Sequence, residues 1–122
     1  MKLRIRGNSL RLRLERAEVA TFAADGKISD RIVFGPENAL AYGLEAAEVD
    51  AVSVHRSGDG VFVQVPRALA SDWAGGDTVG FDAEIEAGGQ GPLRVLVEKD
   101  FACLHKRPGE DESDAYPHPA AS

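Results

Sequence analysis

The chain of 122 residues holds one cysteine, one tryptophan, one methionine and three histidines. A lone cysteine excludes an internal disulfide, so burial and hydrogen bonding must hold the fold. No apolar run is long enough to span a bilayer, and no membrane partner is expected. The basic start alternates leucine with arginine and so lacks the continuous apolar stretch of a secretory leader; a cytoplasmic location is expected. There is no nucleophile elbow, phosphate-binding glycine loop or His-Glu metal motif. The expectation is a protein that is not an enzyme and carries no cofactor.

Apolar residues make up 43% and charged residues 28% of the chain, which suits one soluble domain with a real core. The net charge of −6 conceals an asymmetry. Residues 1–16 hold six bases and one acid, a local charge of +5, whereas residues 100–122 hold five acids and two bases, a local charge of −3.

The first fourteen residues alternate strictly. Leu3, Ile5, Leu10, Leu12 and Leu14 fall on one face, and Lys2, Arg4, Arg6, Arg11 and Arg13 on the other. Gly7-Asn8-Ser9 interrupts the alternation and reads as the turn of a hairpin. Period two specifies two strands with an apolar face to bury and a basic face left over. After Leu14 the period changes, and Glu15 to Phe22 predicts a short helix with Val19 and Phe22 on one side, ended by Asp25-Gly26. Ile28 to Phe34 and Leu40 to Leu44 read as strands about the Gly35-Pro36-Glu37-Asn38 turn.

The pattern then starts again. A shift of 51 residues sets Leu3 on Val54, Gly7 on Gly58, Leu10, Leu12 and Leu14 on Val61, Val63 and Val65, Phe22 on Trp73, and Ile28 on Val79. A shift two residues larger sets Leu40, Tyr42 and Leu44 on Leu93, Val95 and Val97. This order predicts an internal duplication of a strand–strand–helix–strand–strand unit, residues 1–46 and 51–99, followed by a tail over 101–122. In the second unit Asp59-Gly60 reads as the hairpin turn, Pro66 as the start of a helix, and Gly75-Gly76-Asp77 as its end. Val79, Phe81, Ala83 and Ile85 alternate with acids. A unit of about fifty residues cannot bury both its leucine face and its helix. The expected fold is mainly β: two units packed with pseudo-twofold symmetry into a compact, largely closed, barrel-like structure with two short helices, monomeric because the pairing is already covalent.

The segments Arg-x-Arg-Gly-Asn-Ser-Leu-x-x-Arg-Leu, at residues 4–14, and Val-Pro-Arg-Ala-Leu with Gly-Asp-x-Val, in the second unit, resemble the swapped-hairpin family of AbrB transition-state regulators and MazE antitoxins. That resemblance implies a dimer-like arrangement of two units, double-stranded DNA bound on a basic β-face, and an acidic tail. Glu15 stands where the family has proline, and His55, Phe62 and Gln64 replace the arginines in the second unit. A site built from two basic faces is therefore half missing. The whole chain also resembles a family of uncharacterised bacterial proteins, a match that implies no activity.

Arg4, Arg6, Arg11 and Arg13 suit a polyanion, because cations at strand spacing can meet successive phosphates. The competing reading is a solvated face paired with acids from Asp82, Glu84, Glu86 or the tail. No aromatic residue is interleaved with the arginines, which argues against stacking on single strands. Glu110, Asp111, Glu112 and Asp114 lie in a proline-containing stretch too polar to pack. They read as plain disorder, as a clamp on a basic protein partner, or as a cover for the chain's own arginines. Cys103 and His105 do not have the paired spacing of a zinc site, and Cys103 reads as a small apolar residue between Phe101 and Leu104.

Overall fold

A computed structural model of the chain describes residues 1–88 and 91–101. Cys103, His105 and the acids Glu110, Asp111, Glu112 and Asp114 lie outside the described residues. The elements run β1 (Lys2–Arg6), β2 (Ser9–Leu14), α1 (Arg16–Asp25), β3 (Lys27–Gly35), β4 (Asn38–Ala47), β5 (Ser53–Ser57), β6 (Gly60–Pro66), α2 (Arg67–Gly75), β7 (Gly80–Ile85) and β8 (Leu93–Lys99). The protein is mainly β, with two short helices and two four-stranded sheets.

The alternation in the first fourteen residues becomes the β1–β2 hairpin, with Leu3 opposite Leu12 and Ile5 opposite Leu10. Its loop is Gly7-Asn8 alone, because Arg6 pairs with Ser9. The second hairpin closes in the same way: Ser57 pairs with Gly60, so the loop is Gly58-Asp59 and not Asp59-Gly60. Gly7 has φ 55° and Gly58 has φ 52°, the positive value that a type II′ turn requires at its first central residue. The glycine with positive φ thus fixes the turn one residue earlier than the Asp-Gly pair suggests.

Helix α1 begins at a capping box in which Glu15 and Glu18 each satisfy the other's backbone N–H. Glu18 also takes the Met1 ammonium. Pro66 is the residue before α2, where its missing N–H costs nothing. Phe22 and Trp73 project from the two helices and meet edge to face with centroids 6.0 Å apart, and Trp73 meets Phe81 likewise at 5.6 Å. Trp73 Nε1 donates to the Val79 carbonyl at 3.1 Å, so its one polar atom is satisfied in the core. Leu12, Leu14, Leu44, Val63, Val65, Val95 and Val97, all fully buried, surround this aromatic pair in a single cluster.

The sheet orders are β1-β2-β8-β7 and β3-β4-β6-β5. Each sheet therefore joins one hairpin from the first half of the chain to one from the second, through a parallel seam between its two inner strands. Leu10 lies opposite Val95 and Leu12 opposite Val97 in one seam; Val61 lies opposite Tyr42 and Val63 opposite Leu44 in the other. These registers coincide when the first strand of each pair is displaced by 51 residues and the second by 53. Ile28 opposite Leu44 likewise corresponds to Phe81 opposite Val97. The counterpart of Ile28 is thus Phe81 and not Val79, which is exposed and precedes β7. The two extra residues fall between α2 and β7, where α2 leads through Gly76 to Val79 before the strand starts, whereas β3 follows α1 after Gly26 alone.

The expected closed barrel does not form. Closure needs the outer strands of one sheet to pair with those of the other, but pairing stops at β1 and β7 in one sheet and at β3 and β5 in the other. All four edges carry charge, Lys2, Arg4 and Arg6 on β1, Asp82 and Glu84 on β7, Lys27, Asp30 and Arg31 on β3, and Arg56 on β5, which disfavours further pairing. The β3–β4 hairpin also overhangs its sheet. The β4–β6 seam begins at Ala41, and beyond it Ile32, Val33 and Phe34 stand 49%, 58% and 62% exposed.

Trp73→Ala and Phe22→Ala should each cost about 3–5 kcal/mol in denaturant unfolding. Their double mutant should fall short of additivity by about 0.5–1.5 kcal/mol, the coupling of an edge-to-face pair. Strict additivity would mean that the two rings do not support one another.

Candidate nucleic-acid interface

Burial of Leu10, Leu12 and Leu14 turns Ser9, Arg11 and Arg13 to the opposite face of β2. Pairing extends that face across the whole sheet. Lys2, Arg13, Glu98 and Gly80 form one row; Arg4, Arg11, Leu96 and Asp82 form the next; Arg6, Ser9, Arg94 and Glu84 form the third. The charge therefore grades from cations only on β1 and β2, through a balanced β8, to carboxylates only on β7. All four arginines singled out from the sequence lie together on this face, and Lys2 and Arg94 join them.

Two of the four are engaged. Arg13 Nε donates to Glu98 Oε1 at 2.7 Å, with both side chains 18% exposed, and Arg11 Nε stands 3.7 Å from the same oxygen. Arg94 lies 3.5 Å from Glu84, and Lys2 Nζ 2.9 Å from Asp100. Arg4 and Arg6, both exposed, have no carboxylate partner among the described residues. Arg4 lies directly opposite Arg11, and Lys2 directly opposite Arg13, so like charges face each other across the hairpin. On the β1 half of the face Arg4 and Arg6 are uncompensated among the described residues, and the β2 half is drawn toward Glu98.

Sequence reasoning looked for the balancing acids in Asp82, Glu84, Glu86 and the tail. Glu84 does pair, but with Arg94, and the principal partner is Glu98. Glu98 is 85 residues from Arg13 in the chain and comes beside it only through the parallel seam. No local pattern signals that neighbour.

The corresponding face of the second sheet carries little charge. Its rows are Arg31, Ala41, Gly60 and Ser57; Ser29, Gly43, Phe62 and His55; and Lys27, Glu45, Gln64 and Ser53. The Phe62 ring lies over Gly60, and Gln64 Nε2 donates to Glu45 Oε1 at 2.9 Å. Same-plan backbone thus presents a basic face on one side and a small, nearly neutral one on the other.

Elsewhere the surface offers an open cleft of about 710 Å³ between the helices, lined by Leu14, Val19, Ala20, Ala74, Lys99 and Phe101 among others. Lys99 Nζ is held there by the Gly76 carbonyl at 2.8 Å and lies 5.8 Å from the centre of the Trp73 ring. Among the described residues no three His, Cys, Asp or Glu side chains gather as a metal site, and no helix is long and apolar enough to cross a membrane. Tyr42 donates its hydroxyl toward the Met1 carbonyl at 3.4 Å, and burial, then the Asp30 and Glu18 carboxylates, push its phenol above the ordinary value, so it stays a neutral donor.

The opposed arginines carry a measurable penalty. Arg4→Thr should stabilise the fold by roughly 0.2–1 kcal/mol at low salt, since like charges directly across a strand pair destabilise by that order. The gain should shrink as the Debye length falls toward about 3 Å at 1 M salt. A loss of stability at low salt would mean that the Arg4 stem contributes more by packing than its charge costs.

No curated protein and no solved structure matches the chain. The family of unknown function DUF7009 matches residues 1–120, and the chain belongs to that family.

Proposed function

We propose that the protein is a non-enzymatic binding module that holds double-stranded DNA on the outer face of the β1–β2 hairpin. The observation that carries this reading is the uncompensated row of Arg4 and Arg6 beside the directly opposed Arg4–Arg11 pair. Such an arrangement costs stability in the free protein and is relieved by phosphates. Arg11, only 3.7 Å from Glu98, extends the row, and Arg13 joins it by exchanging its part-buried Glu98 hydrogen bond for a phosphate. Contacts of this kind position a duplex without reading its sequence.

The fusion of two copies of one unit belongs to this proposal. It is supported by the matching seam registers and by the exchange of hairpins between halves, which is the arrangement the swapped-hairpin resemblance implies. A fused pair needs no second chain, so sedimentation equilibrium should give the monomer mass of 13.0 kDa. A concentration-dependent doubling of that mass would count against it.

DNA binding is tested by a salt titration with a duplex. If Arg4, Arg6, Arg11 and Arg13 each meet a phosphate, the slope of log K against log salt is about −3.6, and Arg4→Ala with Arg6→Ala should bring it to about −1.8, from roughly −0.9 per phosphate. Glu98→Gln should tighten binding by freeing Arg11 and Arg13. No binding at low salt by any of these forms would retire the DNA reading.

A second reading has its own observation. The overhanging β3–β4 hairpin exposes Ile32, Val33 and Phe34 in succession, a feature that suits a protein-binding module. Phe34→Ser should leave DNA affinity unchanged in either case, because the hairpin belongs to the other sheet.

A further inference from the structure

We propose that the cleft between the helices binds a small amphipathic carboxylate, with its headgroup on Arg16 and its apolar body against Val19, Ala20 and Ala74. The inference does not rest on the DNA reading. It starts from two places in the fold that are built alike. In the β2–β8 seam Leu14 lies opposite Lys99, and in the β4–β6 seam Val65 lies opposite Ala46. The backbone bonds beside them correspond. Lys99 donates its N–H to the Val79 carbonyl at 2.9 Å, and Ala46 donates to the Gly26 carbonyl at 2.7 Å.

Two residues further along each strand direction, the two places part. Arg16 and Phe101 stand in the first, Arg67 and Glu48 in the second. Each arginine is the first residue of its helix. Arg67 is served by the chain itself, with Nε 3.9 Å from Glu48 Oε1. Arg16 has Phe101 in the corresponding position and no carboxylate partner among the described residues. The fold thus shows, in one of two matching places, which group this arginine takes: a carboxylate.

The space beside Arg16 suits an apolar body. The cleft of about 710 Å³ falls within the roughly 300–1,000 Å³ of small-molecule sites. Buried Leu14 and Val19 form an apolar floor, and Ala20 and Ala74 are small enough to keep the walls apart. The other charges of the cleft do not compete for an anion. Lys99 Nζ is held by the Gly76 carbonyl at 2.8 Å, and the Asp100 carboxylate pairs with Lys2 at 2.9 Å. Asp77, exposed past the end of α2, disfavours an anion on that side and leaves Arg16, on α1, as its place. A single available cation over an apolar floor selects a ligand with one carboxylate and a hydrocarbon body, and a planar guanidinium can hold such a carboxylate through two parallel N–H donors.

The test titrates the full chain with octanoate, octanol and acetate, read by backbone amide NMR shifts. Octanoate should give saturable shifts centred on Arg16, Ala20, Ala74 and Lys99. Octanol lacks the charge and acetate lacks the body, so each should bind more weakly. Arg16→Gln should lower octanoate affinity on the order of threefold to tenfold and leave octanol unchanged. Ala20→Phe, at an exposed helix position, fills the cleft without disturbing the core and should abolish the shifts from both. Arg67→Gln, at the matching place, should change neither. Absent or unsaturable octanoate shifts, or shifts centred elsewhere, would overturn the site. Octanoate affinity unmoved by Ala20→Phe would do the same. Equal affinity for octanoate and octanol, or an equal loss in Arg67→Gln, would overturn the carboxylate contact at Arg16.

Discussion

The parallel pairing of β2 with β8, and its counterpart between β4 and β6, is the constraint on which everything else depends. A two-stranded hairpin is marginal in water. The four hairpins of this chain become sheets only where an inner strand of one half lies beside an inner strand of the other. The seams place Leu12 against Val97 and Leu44 against Val63, at the centre of the buried cluster. They also bring Phe81 to Trp73, and Trp73 to Phe22, so that the aromatic contacts of the core tie both helices to a strand from the far end of the chain.

The same seam shapes the basic face. Arg11 and Arg13 are assigned to an exterior by the burial of their leucine neighbours, a local matter. Whether they are free is decided by Glu98, which arrives from the other half. On β1, one strand further out, Lys2 meets Asp100, and Arg4 and Arg6 meet no such acid among the described residues. The division between engaged and uncompensated arginines therefore follows the distance of each strand from the seam. The second sheet shows that the backbone plan does not dictate this chemistry, since the equivalent positions hold His55, Phe62 and Gln64 where the first sheet has Arg4, Arg11 and Arg13.

Much of this was legible from residue patterns. Strict alternation in residues 2–14 and 60–66 located the buried leucines and valines, and the repeat order anticipated ten elements. What a period cannot express is which strands become neighbours. The seams, the Arg13–Glu98 pair and the open edges of both sheets all follow from long-range pairing, and a preference for closure was the wrong guide where charged outer strands resist it. The misplaced counterpart of Ile28 has a local origin: Val79 keeps the alternation of β7, yet lies in the extra residues between helix and strand, where its carbonyl serves Trp73 and its side chain is left exposed. The turn at Gly58-Asp59 was missed because the Asp-Gly pair outweighed the glycine before it. At the candidate site, the cation row from Lys2 to Arg13 is readable from strand spacing, whereas Arg94 as a co-member, and Glu98 as the counterweight of Arg11 and Arg13, are not.

The seams also bear on how the chain is made. Leu10 finds Val95 only after 85 further residues have been added. At about 5–20 residues per second of synthesis, the leucine face of the first hairpin waits roughly 4–17 s on the ribosome for the strand that completes its sheet. An alternating leucine hairpin with a bare edge is prone to pair with a stranger during that interval. Lys2, Arg4 and Arg6, set along that edge, keep nascent chains apart by mutual repulsion. The cations of the finished face thus also guard the unfinished one.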